Sequence, residues 1–229
     1  MESIHIEATE LFHIGPIPVT NTIFSAWLVM GVLVIASLVA TRGMKLVPSG
    51  FQNFMEYVVE MLLGACERLA GRQGRQFLPF VATAFLFILV SNWMGLLPGY
   101  GETPWLRSAN SDLNVTASMA IIVFFLVQGF AIKSQGIPRY LKEFLVPNPL
   151  HIVSELSRPL SLAFRLFGNI FAGEVLLVTM ASLVPVGIPI IFFGLEIFVG
   201  IVQALIFSML TLVFLTIATL HGGETREHE

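Results

Sequence analysis

Between His151 and Met180 the chain reads HIVSELSRPLSLAFRLFGNIFAGEVLLVTM, mostly apolar and long enough to cross a bilayer. It nevertheless carries Arg158, Arg165, Asn169 and Glu174, with Glu155 near its start. An arginine placed centrally in such a segment costs roughly 3 kcal/mol on insertion. Arg165 stands well inside both ends, too deep to snorkel easily to a headgroup. Ionisable residues held there mark ion or substrate paths, so Arg165 is the first functional candidate.

Residues three and four apart share a helix face. Ser154, Arg158, Ser161, Arg165 and Asn169 follow that spacing and make one polar stripe, which Glu155 and Ser157 widen at its start. Small or polar side chains along it could admit water or a neighbouring helix. Glu174 follows Arg165 by nine residues. At ~100° per residue that is half a turn out of phase, and about 13 Å further along the axis. Glu174 and Arg165 therefore read as stations at different depths and directions rather than a simple ion pair. A second polar face lies on the last apolar segment, where Glu196, Gly200, Gln203 and Phe207 repeat at helical spacing. An antiparallel pairing about VPVGIP (184–189) sets Glu174 level with Glu196 and Arg165 near Gln203. Two carboxylates at one level in an apolar setting suit proton binding. An arginine keeps its proton, so it attracts a mobile carboxylate and bars direct proton passage without relaying.

Plainer roles stand beside these. Arg158 suits an interfacial snorkelling residue, Asn169 a helix-to-helix hydrogen bond, and either glutamate a protonated helix contact. His151 suits an access path or a plain interfacial position.

The elements that must hold these residues follow from composition. Of 229 residues, 55% are hydrophobic and 12% charged. That is about half the charge of a soluble domain. With apolar runs of membrane-spanning length, it indicates an all-α, polytopic membrane protein. The single cysteine, Cys66, excludes an intramolecular disulfide and a C-x-x-C site. No cofactor, metal or nucleic acid is expected. The acidic opening MESIHIEATELFHIGPIP lacks the basic region of a cleavable signal.

Residues 1–20 are expected to be an outer lead-in, amphipathic or extended, broken at Gly15, Pro16 and Pro18. Spans are expected at 23–40, 77–97 and 114–132, and a long helical hairpin at 151–183 and 190–220. The hairpin's excess length implies tilt or protrusion. Residues 49–76 alternate apolar and charged positions at helical spacing. They read as an interfacial amphipathic helix, with packing on the bundle as the alternative. All 229 residues then form one membrane domain of five embedded helices plus one interfacial helix. Residues 98–113 are a polar loop. Asn114-Val115-Thr116 matches a glycosylation sequon at a helix start. Arg42, Lys45, Arg68, Arg72, Arg75, Lys133, Arg139, Lys142 and Arg226 share one side, leaving Arg107 opposite. That bias predicts an outer N-terminus and a cytoplasmic C-terminus.

SRPLSLAFRLFGNIFAGE (157–174), with Glu196, Gln203 and the segment Phe207–Ala218, closely resembles subunit a of rotary F-type ATP synthases. The resemblance implies a proton-conducting, non-catalytic stator subunit of the membrane sector in a bacterial inner membrane. Its implied partners are the c-ring, b-type peripheral stalk subunits and other ATP synthase subunits. By motif position Arg165 is the arginine that faces the ring and separates two half-channels. Asn169 and Gln203 match its polar neighbours, and Glu174 and Glu196 match the outer relay. Glu196 departs from members with histidine there. His151 stands where many members carry glutamate, leaving Ser154, Glu155 and Ser161 as further inner half-channel candidates. The resemblance leaves proton against sodium open. The rival from another class is a stand-alone transporter or channel in which Arg165 binds an anionic substrate; the absence of an internal repeat weighs mildly against it.

Overall fold

The computed structural model describes residues 9–15, 17–97, 107–137, 140, 149–184 and 187–220. The lead-in forms a β-hairpin, with β1 (Glu10–Ile14) antiparallel to β2 (Ile17–Thr20). Gly15, at φ +63°, makes the turn. Extended, β-prone LFHI and IPVT favour strands once a glycine reverses the chain. Thr20 then caps α1 (Asn21–Thr41), its hydroxyl accepting from Ile23 N at 3.4 Å.

α1 is apolar on every face. Only its start is buried, through Asn21, Thr22, Ser25 and Val29, while Val34, Ile35, Leu38 and Val39 are exposed. A helix with an apolar exterior and small polar contacts inside suits lipid. α2 (Phe51–Ala70) is amphipathic, with Leu62 and Cys66 buried and Phe54 and Tyr57 exposed. It ends in the 3-10 turn Gly71–Gln73, and α3 (Gly74–Met94) follows at once. A Cβ at Gly74 would overlap the backbone carbonyl of Cys66, so only glycine permits this junction. Arg75 Nε donates to Glu67 Oε1 at 2.9 Å across it. The segment expected at 49–76 is thus a helix packed against α3 through its inner face.

α4 (Leu113–Gln135) starts on Asp112, whose carboxylate accepts from Asn114 N at 2.8 Å. α5 (Pro149–Leu183) and α6 (Ile188–Leu220) are the two long helices. Five stretches are long and apolar enough to cross a membrane: Asn21–Thr41, Phe51–Met94, Leu113–Gln135, Glu155–Leu183 and Pro189–Leu220. α6 occupies the centre of the bundle and packs most heavily on α3. Phe77, Val81, Ile88, Leu166, Phe207 and Leu215 are among the side chains that fill the core between α3, α5 and α6. Gly200 marks the close approach of α6 to α3: a Cβ there would lie 3.2 Å from Asn92 Cβ. Asn92 Nδ2 donates to Gly200 O at 3.2 Å, and Trp93 Nε1 to Ile197 O at 3.4 Å.

Candidate functional site

α5 divides its residues by phase. Leu162, Ala163, Leu166 and Ile170 are buried in the bundle. Ser161, Phe164, Arg165, Asn169 and Ala172 lie on the exposed side. Arg165 points away from the core, and among the described residues it makes no hydrogen bond or ion pair. About one turn along, Asn169 Nδ2 reaches back to α6 and donates to Gln203 Oε1 at 2.7 Å. Gln203 is 2% exposed, and its Nε2 is buried with no hydrogen-bond partner among the described residues. The arginine therefore stands at the rim of a polar seam between α5 and α6.

Further along α5, Glu174 turns inward. Its Oε2 accepts from Arg107 Nη2 at 3.2 Å. The side chains of this pair are only 11% and 13% exposed, so water screens it little. Glu196, on α6, lies against the Gly173 backbone, where a Cβ would overlap its carboxylate. The Gly173 notch thus brings the second carboxylate to the level of the first.

Arg107 arrives on a short irregular segment buried among helices. The 3-10 turn Ala109–Ser111 contacts α1, α3, α4 and α5. Ser108, Asn110 and Ser111 are at most 3% exposed. Non-helical backbone at such depth must be satisfied by protein. Ser108 Oγ donates to Ser91 O at 3.2 Å, and Asn110 Nδ2 donates to Asn92 Oδ1 at 2.7 Å. Arg107 N donates to Ser25 Oγ at 3.4 Å, and Thr22 Oγ1 to Asp112 Oδ2 at 2.8 Å. Burial pushes the Arg107 guanidinium below its usual range, opposed by Asp112. As an arginine it stays charged. Sequence reasoning used Arg107 only to orient the chain. The available signal was a lone cation in the 98–113 stretch, five residues from Asp112.

A third cluster sits near the start of α5. Arg158 Nη1 pairs with Glu155 Oε1 at 2.7 Å, and its guanidinium lies 5.4 Å from the Phe214 ring centre. Glu155 is 9% exposed and accepts from Gln128 Nε2 at 3.2 Å. Tyr140 OH donates to Gln128 Oε1 at 2.6 Å. Arg158 is thus half-buried, drawn toward the bundle by Glu155 one turn earlier and by a ring on α6. That takes it out of the exposed stripe of Ser161, Arg165 and Asn169. His151 and Ser154 belong to the first turns of α5, but their side chains lie outside the described residues.

Residues 23–216 match the family model described as ATP synthase A chain. The chain belongs to that family. An ATP synthase subunit a of Moorella thermoacetica is 34% identical over 215 residues, covering 92% of this chain and 96% of the relative. An ATP synthase subunit a 2 of a Bradyrhizobium species is 37% identical over 219 residues, covering 94% and 96%. An ATP synthase subunit a 2 of Pelobacter propionicus is 37% identical over 215 residues, covering 92% of each. With family membership in hand, the five long apolar helices are those of a multi-pass membrane protein of the ATP synthase membrane sector.

Proposed function

We propose that this chain is the proton-translocating stator subunit of a rotary ATP synthase. It forms a single, non-catalytic membrane domain beside a c-ring, joined to b-type stalk subunits in a bacterial inner membrane. The N-terminus is outside and the C-terminus cytoplasmic. The carrying observation is Arg165 itself: a cation on the exposed face of a membrane helix, unpaired among the described residues. Such a charge calls for a counter-charge from outside the chain, and a carboxylate on a passing ring subunit supplies one.

The inward carboxylates support two offset half-channels. Glu174 and Glu196 form the outer relay, where protons are handed toward the ring. Asn169 and Gln203 flank the point of transfer. The inner half-channel runs past Ser161 toward the α5 start, with His151, Ser154 and Glu155 as its candidates. Arg165 pairs with each ring carboxylate as it arrives deprotonated, and its fixed charge stops protons crossing between the half-channels.

The test is Arg165→Ala in the assembled enzyme, with ATP-driven proton pumping and ATP synthesis measured in vesicles. Both are expected to be lost while the complex still assembles. Wild-type coupling in that variant would sink the reading.

A further inference from the structure

Glu174 and Arg107 lie 67 positions apart in sequence and meet in a shielded pair. The two carboxylate oxygens of Glu174 are not equivalent. Oε2 accepts from Arg107, whereas Oε1 is buried with no hydrogen-bond partner among the described residues. An unpartnered buried acceptor is costly, and a proton bound there removes its charge. The charged groups around the pair, among the described residues, are Glu196 from α6 and Asp112 beyond Arg107. Asp112 is fixed: Oδ2 is held by Thr22 of α1 and Oδ1 by the start of α4. Arg107 thus pairs with a carboxylate that has an open oxygen, and feels the charge of a second, anchored one.

We propose that Arg107 is a positioning residue for proton transfer, fixing Glu174 so that Oε1 is the atom that receives each proton. The inference rests on the transport reading above. When its proton has left, Glu174 is an anion paired with Arg107. A proton from the outer side binds Oε1, the carboxyl becomes neutral, and the pull on the guanidinium falls. The nearby negative charge of Asp112 still favours the Arg107 cation meanwhile. When the proton leaves toward the ring carboxylate, Glu174 is again an anion and recaptures Arg107. One proton arrives and one departs, and neither arginine changes protonation.

The experiment uses the assembled ATP synthase in vesicles, with proton flux driven by an imposed pH gradient. R107Q should slow flux about tenfold, the size expected for losing one charge-assisted hydrogen bond. R107K, which keeps the charge, should retain most of it. R107Q should add nothing further in an E174Q background. R107H supplies a readout that a packing role would not move. Its flux, relative to R107K at the same pH, should rise as the pH falls through about 6.5 and the imidazole becomes charged. This ratio also serves if R107Q fails to assemble. A flat ratio, or unchanged flux in R107Q alongside slowed E174Q, overturns the role of Arg107 and leaves the transport reading standing. Unchanged flux in both E174Q and R165A removes the transport reading and this inference with it.

Discussion

Asn169 on α5 donates to Gln203 on α6 at 2.7 Å, one turn beyond Arg165. The residues flanking Arg165 in sequence, Phe164, Leu166, Phe167 and Gly168, have no polar side chain, and Ser161 lies one turn before it. The bond therefore helps set how α5 sits against α6 beside the arginine.

Asn169→Ala should loosen that setting. A net hydrogen bond contributes about 1 kcal/mol, so the complex should remain folded. Proton flux is expected to fall by a few fold, with a small loss of thermal stability. Gln203→Leu should slow flux to a similar degree, and the double variant should be no slower than the worse single one. Additive losses would show that the two amides act separately.

Gly173 leads to a stronger effect by a different route. The Glu196 carboxylate occupies the space its missing side chain leaves. Gly173→Ala should force the carboxylate out, at a cost of about 1–3 kcal/mol for overpacking. Thermal unfolding of the purified complex should detect it. Combining the change with Glu196→Ala frees the space, so stability should recover while flux does not. Failure of stability to recover would mean that the alanine is strained by something other than Glu196.

Glu196→Gln keeps the shape and removes the titratable group. Conduction should slow less than in Arg165→Ala, because water or Glu174 can still carry protons through the outer side. An unaltered rate would remove Glu196 from the relay.

Long apolar runs announced α1, α3, α4, α5 and α6, since hydropathy over about 20 residues is a strong local signal. Phase alone separated Glu174 from Arg165 on α5. The hairpin register set Glu174 level with Glu196 and Arg165 near Gln203; in the structure Glu196 meets Gly173 beside Glu174, and Gln203 bonds Asn169, one turn beyond Arg165. Arg107 was hidden for the opposite reason. Its partner is reached through the tertiary placement of an irregular segment, and nothing local says that Arg107 to Asp112 is buried rather than solvated. The β1–β2 hairpin was also hidden, because each strand is too short to show a period. Arg158 fits the stripe by spacing, but its pairing with Glu155 and its contact with the Phe214 ring depend on tertiary packing that spacing does not show.

The Glu155–Arg158 pair gives the last prediction. Glu155 is nearly buried, with Arg158 and Gln128 both donating to its carboxylate. Arg158→Ala leaves that anion with a single neutral donor. Breaking one side of a buried pair can cost about 3–5 kcal/mol, and here partial exposure of Arg158 reduces it to about 1–3 kcal/mol. Glu155→Gln retains an acceptor for Gln128 and should cost less. In the double variant the uncompensated charge is gone, so stability should return most of the way to wild type. Flux then separates two roles for the cluster. If Glu155 carries protons on the inner side, both Glu155→Gln and the double variant should conduct slowly even where stability is restored. Wild-type flux in a stable Glu155→Gln enzyme would confine the cluster to holding α5 against α4 and α6, and leave the inner path to Ser161 and the α5 start.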